Sequence, residues 1–329
     1  MLDLHRLRLL RELKHRGTLA AVAEALSYSP SSVSQQLSVL EKEAGVRLLE
    51  PVGRRVRLTP QAEILVAHTE IVLERLERAE AELSASLTDI RGVLRIAAFQ
   101  TAALALVPKA LSRLRERHPA LRVEATQSEP ESALPALQAR DFDLVITEEY
   151  PGNPEARPAE IEHEELCRDE IRLALPARTR DRPAGPSTAA GLSAAADLPW
   201  VMEPAGTASR HWATALCRSA GFEPDVRYES SDLLLHLHLV EQGHAAALLP
   251  DLVWYDREAS GDLRRLPEAL RTRRIFTAVR RGSGDHPAIR AGRDALGVGV
   301  PVRGTQGPTH GDIRDLPDGD ESAGGSESY

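Results

Sequence analysis

Residues 17 to 45, GTLAAVAEALSYSPSSVSQQLSVLEKEAG, constrain the fold more than any other stretch of the chain. Two short helical patterns meet here at a tight break. In the first, Leu19, Val22, Ala23 and Leu26 recur at helical spacing, and Thr18 supplies a capping hydroxyl ahead of them. The break Ser27-Tyr28-Ser29-Pro30 ends that helix, because Pro30 disfavours the α conformation at Ser29 and is itself suited to a first helical turn. A second helix is therefore expected from Pro30. In it Val33, Leu37 and Leu40 fall at i, i+4 and i+7 and face a core, leaving Ser31, Ser32, Ser34, Gln35 and Ser38 largely on the outer side. That face carries short hydroxyls and amides with no carboxylate before Glu41, a composition able to enter a DNA major groove and bond base edges and phosphates. The plainer reading is an αα-hairpin with a solvated serine face.

The surrounding sequence favours the first reading. Arg47 to Thr59, RLLEPVGRRVRLT, alternates Leu48, Val56 and Leu58 with basic residues around Gly53, as expected of a two-stranded hairpin whose basic tip holds Arg54 and Arg55. Residues 1 to 60 contain ten Lys/Arg and six Asp/Glu, a net of +4, whereas the whole chain is −8 and the remainder therefore −12. Positive charge is concentrated where phosphate would be met.

With these residues in view, the chain from 1 to about 300 resembles a LysR-type transcriptional regulator. The leading LHRLRLLRELKHRGTLAAVAEAL, the segment SPSSVSQQLSVLEKEAG and the closing RRVRLTP carry the N-terminal part of the resemblance. The sequence departs from the common family pattern at Pro30, Gln35, Pro51 and Gln61-Ala62. The resemblance implies an α/β protein with three parts: an N-terminal winged helix-turn-helix over 1–59, a dimerising linker helix over 60–90 and a two-lobed α/β effector-binding domain over 91–300, similar to periplasmic binding proteins. It implies operator contacts from Ser29, Pro30, Ser31, Ser34, Gln35, Arg54 and Arg55. It further implies a homodimer or homotetramer, a small-molecule effector, and contact with RNA polymerase at the promoter. The alternative is a small-molecule-binding module whose N-terminal helices serve assembly rather than regulatory DNA binding.

At 329 residues the chain has room for two or three cores. No apolar run approaches twenty residues, so no membrane span is expected. Asp3, His5, Arg6 and Arg8 interrupt any signal-peptide apolar region, which points to the cytoplasm. Cys167 and Cys217 lack CxxC spacing and read as buried inert thiols rather than a redox pair or zinc ligands. From 60 to 90, Leu65, Val72, Leu76, Ala79, Leu83, Leu87 and Ile90 form a seam like that of a coiled coil, with charged residues on the other sides.

From Gly92 strands alternate with helices: a strand over Val93 to Ala98, a helix over Ala103 to Glu116, then strand, helix and a third strand at Phe142 to Ile146. GVLRIAAFQTAALALVPKALSRLRERHPALRVE resembles the opening of the family's effector domain, and LQARDFDLVI its third strand, with Arg140 in place of a customary Gly. Tyr150 to Glu165 reads as a crossover, Arg178 to Ala196 as loop, and Arg274 to Val279 as the strand that returns to the first lobe. Residues 301 to 329, dominated by Gly, Asp, Ser and Glu, are expected to be a disordered tail.

No cofactor or metal is expected. His236 and His238 lie two apart on a helical pattern, and no GxSxG, Walker or HExxH motif occurs, so catalysis is not indicated. A ligand cleft is better supported. Gln100 and Thr101 stand at a strand-to-helix turn, where backbone N–H groups favour an anion, and Thr101 matches a family Ser/Thr position that contacts effector. Thr147 and Glu148 close the third strand at the same rim, and Glu203-Pro204 and His244 stand in loops of the second lobe.

Overall fold

A computed structural model describes residues 1–26, 28–53, 55–152, 157–176, 192–255 and 262–299. Ser27 of the expected break, the Arg54 wing residue, most of the 178–196 loop and the expected disordered tail lie outside the described residues.

The N-terminal unit is built from α1 (Leu4–Arg16), α2 (Leu19–Ala25), α3 (Pro30–Ala44) and a hairpin of β1 (Leu49–Val52) and β2 (Arg55–Leu58). Local chemistry sets each boundary. Gly17 ends α1 at φ 74 and Gly45 ends α3 at φ 69, left-handed conformations in which a Cβ would be strained. Thr18 caps α2 by accepting from Ala21 N, and Ser29 caps α3 by accepting from Ser32 N, with Pro30 in the first turn. Leu9, Leu10, Leu13, Val22, Val33, Leu37 and Leu40 then meet in one core, joined by Val66 of the next helix. An Arg6–Glu43 ion pair at 2.6 Å closes α1 onto α3 from outside.

That next helix, α4 (Pro60–Ala85), is capped by Thr59 and runs for 26 residues. It stops five residues short of the expected end, where Ser86 turns its hydroxyl back to Leu83 O at 2.6 Å and competes with the helical backbone. The helix has two working faces. Ala62, Val66, Thr69, Glu77 and Ala81 are buried against the rest of the chain. Ile64, Ile71, Val72, Leu76, Leu83 and Leu87 are exposed. The expected seam is thus corrected at Leu65, which turns toward the N-terminal core, and at Ile90, which packs on the first lobe.

The C-terminal part holds the two lobes. The first contains β3 (Gly92–Ala98), α5 (Gln100–Ala105), α6 (Val107–Arg117), β4 (Leu121–Gln127), α7 (Pro130–Gln138) and β5 (Leu144–Glu149). The single helix expected over 103–116 is two pieces, because Pro108 near the start of α6 has no N–H to donate back into α5. The crossover over 150–165 gives way after Ile161 to β6 (Ile161–Leu175), a 15-residue strand that serves both lobes. The second lobe holds β7 (Pro199–Met202), α8 (Ala208–Ser219), β8 (Asp225–Glu229), α9 (Leu233–Glu241), β9 (Ala247–Pro250) and β10 (Asp262–Arg265). The chain returns through β11 (Thr272–Arg280) and ends, as described, in α10 (Pro287–Gly299).

The main sheet has the order β10-β6-β11-β5-β3-β4, with β9 also paired to β6. Strand β3 pairs parallel to β4 and β5, while β11 runs antiparallel to β5 and β6, so the sheet is mixed. Separate cores fill the lobes, one around Leu94, Ile96, Ile146 and Ile275 and another around Trp200, Trp212 and Leu216.

Helix α4 is also fastened to the first lobe. Glu77 Oε1, on a residue only 5% exposed, accepts from Arg280 Nε at 2.8 Å and lies 2.7 Å from Arg140 Nη2. Arg140 adopts φ 71, the only positive value at a non-glycine among the described residues, at the position expected to depart from a customary Gly. Gly282 (φ 86) approaches so closely that a Cβ would lie 2.6 Å from Glu74 O of the helix. Gly282→Ala is therefore expected to destabilise the protein by roughly 1–3 kcal/mol and to loosen α4 from the lobe. Chemical denaturation with hydrogen exchange across residues 70–82 checks both parts, and a variant as stable and as protected as wild type contradicts them.

Candidate functional site

Two regions concentrate functional side chains. On α3, buried Val33, Leu37 and Leu40 hold one face down, and Ser31, Ser34 and Gln35 stand exposed on the other. Ser29 and Pro30 are exposed at the helix start. Ser29 is partly committed, since its hydroxyl caps Ser32 N at 3.1 Å and lies 2.9 Å from Ser31 Oγ. The side chains of Ser34 and Gln35 are bonded to nothing among the described residues. Ser38 is turned inward to its own helix, donating to Ser34 O at 3.0 Å. Arg55 opens β2 opposite Val52, and Arg57 pairs with Glu50 across the hairpin at 3.0 Å.

The second region lies between the lobes and is organised by Arg273 of β11, a residue the sequence reading missed. Its side chain is 1% exposed. It donates to Asp169 Oδ2 through Nε at 3.0 Å and Nη2 at 2.7 Å, to Glu148 Oε2 through Nη1, and to Thr101 Oγ1 at 2.8 Å. Its guanidinium also sits 5.1 Å from the centre of the Phe99 ring. Tyr150 donates to the other Glu148 oxygen at 3.0 Å, and Asp169 Oδ1 accepts from Leu252 N at 3.1 Å. The network satisfies both buried carboxylates. Burial pushes Asp169 up to about 6 against the pull of Arg273, which still leaves it ionised at neutral pH.

This geometry changes the expected role of the strand-to-helix turn. Thr101 is fully buried and its hydroxyl is held by Arg273, so it faces the network rather than open cleft. The Gln100 backbone N–H faces Glu129, so this turn is occupied by the chain's own carboxyl group. The Gln100 side chain reaches the second lobe, donating to Asp232 Oδ1 at 2.5 Å and accepting from Leu233 N at 2.6 Å. Glu131 makes a parallel bridge by accepting from Ala208 N at 3.0 Å. These three hydrogen bonds, made by two side chains of the first lobe, bridge it to the second.

Behind them lies a cavity of about 20 Å³, lined by Tyr150, Met202, Glu203, Ser209, Trp212 and His236 among others. That is room for about one water. Glu203 is 9% exposed, and burial, reinforced by Glu148 and Glu129, pushes its carboxyl up to about 8. Burial and Glu148 likewise push Glu129 up to about 7. His236 bonds Ser230 O at 2.7 Å through Nε2, and burial lowers its pKa, so it is neutral at pH 7. Glu148 and Glu203 are thus brought together; buried Thr147 and half-buried Pro204 flank them in sequence, and His244 is exposed in the turn before β9, outside the cavity lining.

Burial pushes both Cys167 and Cys217 up to about 12, which keeps them as thiols, and they pack in different lobes. No group of three or more metal-ligating side chains occurs among the described residues. No described helix is long and apolar enough to cross a membrane.

Glu203 gives the protein a pH dependence of defined sign. Its folded pKa lies above the unfolded value, so the unfolded chain loses this proton first, and stability falls as pH rises from the ordinary carboxylate range through about 8. Urea unfolding of Glu203→Gln across that window should show a flatter decline than wild type. Equal slopes would mean that Glu203 is already ionised in the folded protein.

Comparison with known proteins agrees with this architecture. A family model described as "Bacterial regulatory helix-turn-helix protein, lysR family" matches residues 4–63, and one described as "LysR substrate binding domain" matches residues 88–298. The transcriptional dual regulator GltC of Bacillus subtilis (strain 168) is 27% identical over 250 residues, spanning 76% of this chain and 81% of that protein. The malonate utilization transcriptional regulator of Klebsiella pneumoniae is 28% identical over 267 residues, spanning 80% and 84%. Among solved structures, a full-length OxyR variant from Pseudomonas aeruginosa aligns with a TM-score of 0.60 at 22% identity, covering 90% of this chain and 95% of that one. Full-length CbnR complexed with its target DNA aligns at 0.50 and 20% identity, covering 91% and 100%. At such identities the structural likeness speaks for the fold. Since the substrate-domain match alone spans more than half of the sequence, the chain belongs to the LysR family and is a DNA-binding transcriptional regulator with an effector-binding domain.

Proposed function

We propose that α3 is the recognition helix and that Ser34 and Gln35 read base edges in the major groove, with Ser31, Ser29 and Pro30 near the phosphates and Arg54 and Arg55 meeting the backbone from the hairpin. The observation that carries this reading is the pair of exposed, unbonded polar side chains on a helix whose opposite face is fully buried. Small hydroxyls and amides can bond bases there, while the α3 N-terminus favours phosphate. In gel shifts with the promoter region of a regulated gene, Ser34→Ala and Gln35→Ala should each weaken operator affinity by about 1–3 kcal/mol per lost base contact, with thermal stability almost unchanged. Wild-type affinity in both variants would take this face out of the groove.

The effector is received on the second-lobe side of the cleft, where Glu203, Tyr150, Trp212 and His236 converge. Because the cavity holds about one water with the lobes together, effector entry goes with separation of the Gln100–Asp232 and Glu131–Ala208 contacts. The protein works in the cytoplasm at promoters, alongside RNA polymerase, and regulates without catalysing a reaction.

Assembly runs through the exposed seam of α4, since Ile64, Val72, Leu76 and Leu83 leave apolar surface that a second α4 would cover. Dimers paired in this way give the two operator contacts expected of a homodimer, or four in a dimer of dimers. Leu76→Asp should produce monomers that bind operator poorly, because it introduces a charge into that seam. Sedimentation velocity checks the outcome, and intact dimers would locate the interface elsewhere.

A further inference from the structure

A second cavity, of about 210 Å³, lies where α1, α4 and the first lobe meet. Five arginines line it: Arg8 and Arg11 from α1, and Arg140, Arg280 and Arg281 from the lobe. Four carboxylates also line it, and two of them have cationic partners. Glu77 is shared between Arg140 and Arg280 and Glu74 pairs with Arg78 at 2.5 Å, while Glu70 lies 3.6 Å from His15 with its Oε1 buried and without a hydrogen-bond partner. Glu160 is the fourth.

Arg280 is already engaged by Glu77, Asp143 and the Leu137 and Phe142 carbonyls, and Arg140 by Glu77 and Glu80, but the two arginines of α1 are less well served. Arg8, half-buried, has no hydrogen bond or ion pair among the described residues. Burial lowers its pKa first, Arg140, Arg11 and Arg280 lower it further, and Glu12 opposes them. Arg11 is 6% exposed and donates from Nη1 to Glu12 at 3.0 Å and Gln138 O at 3.4 Å, yet its Nε is buried with no acceptor. A buried guanidinium N–H without an acceptor is costly, and a guanidinium set among others needs negative charge as well as hydrogen-bond acceptors. Water supplies only the second. A phosphate or carboxylate supplies both, and a planar guanidinium fork suits its paired oxygens.

We propose that this junction cavity is a binding site for a small oxyanion of phosphate or carboxylate chemistry, held by Arg8 and Arg11 on one side and faced by Arg140 and Arg281 on the other. The site is separate from the cleft between the lobes. Its two walls belong to different parts of the molecule, so an occupant ties the DNA-binding unit to the first lobe.

The test uses the full-length protein, titrated by calorimetry and thermal shift with inorganic phosphate, pyrophosphate and citrate against sodium chloride of matched ionic strength. At least one of the three should bind and raise Tm beyond the chloride control, the phosphates or citrate identifying the preferred chemistry. Arg8→Ala should weaken that binding on the order of 10-fold or more, the scale of a lost charge-assisted contact. Arg8→Glu supplies the missing carboxylate, so it should melt higher than wild type in chloride and respond to none of the anions. Because Arg8 has no partner to lose, neither change removes a native contact of its head group. The proposal is overturned if no anion is distinguished from chloride in wild type, or if Arg8→Ala binds as tightly as wild type.

Discussion

One guanidinium holds the effector domain's interior chemistry in place. Arg273 is surrounded by Glu148 near the end of β5, Asp169 in the middle of β6, Thr101 from the start of α5 and the ring of Phe99. Two buried carboxylates would be untenable there alone, and breaking such a cluster from one side costs about 3–5 kcal/mol. The cluster also decides what the neighbouring turn can do. With Thr101 held by Arg273 and Gln100 N–H facing Glu129, the strand-to-helix turn is filled from within, and the groups left facing the cavity are Glu203, His236 and the aromatic rings of Tyr150 and Trp212.

The second organising element is α4, which does opposite things with its faces. Ala62 and Val66 complete the core under α3, and Glu77 and Ala81 lie farther along the same inward stripe, Glu77 against the first lobe. A single 26-residue rod is thereby in contact with both the lobe and the helices that hold α3. The outward face keeps Ile64, Ile71, Val72, Leu76 and Leu83 exposed. Arg140 links these demands: a left-handed backbone costs a non-glycine residue roughly 1 kcal/mol, and here it aims the guanidinium at Glu77 and Glu80 of the rod.

The N-terminal unit was legible in the sequence because its determinants are local. Gly17, Thr18, Ser29, Pro30 and Gly45 are boundary residues within a few positions of what they cap, and Val33, Leu37 and Leu40 form one stripe. The strand and helix alternation from Gly92 was legible for the same reason. Arg273 was not, because its partner Thr101 is 172 residues away and nothing in RTRRIFTAV separates a buried arginine from its solvated neighbours. Glu129, Asp169 and Asp232 were missed likewise, each being one acid among many until the fold buries it. On α4 the apolar positions serve two faces at once, so spacing alone put Leu65 on the wrong one.

The two bridges between the lobes, Gln100 to Asp232 and Glu131 to Ala208, enclose carboxyls that hold protons near neutral pH, Glu203 up to about 8 and Glu129 up to about 7. Parting the lobes would wet these groups and return them toward ordinary carboxylate behaviour. At pH 7 the two together would then shed on the order of one proton, so opening and closing is also a protonation step. If the lobes part, the hydrogen ion would in that sense be a ligand of the closed form, and acidification would favour it.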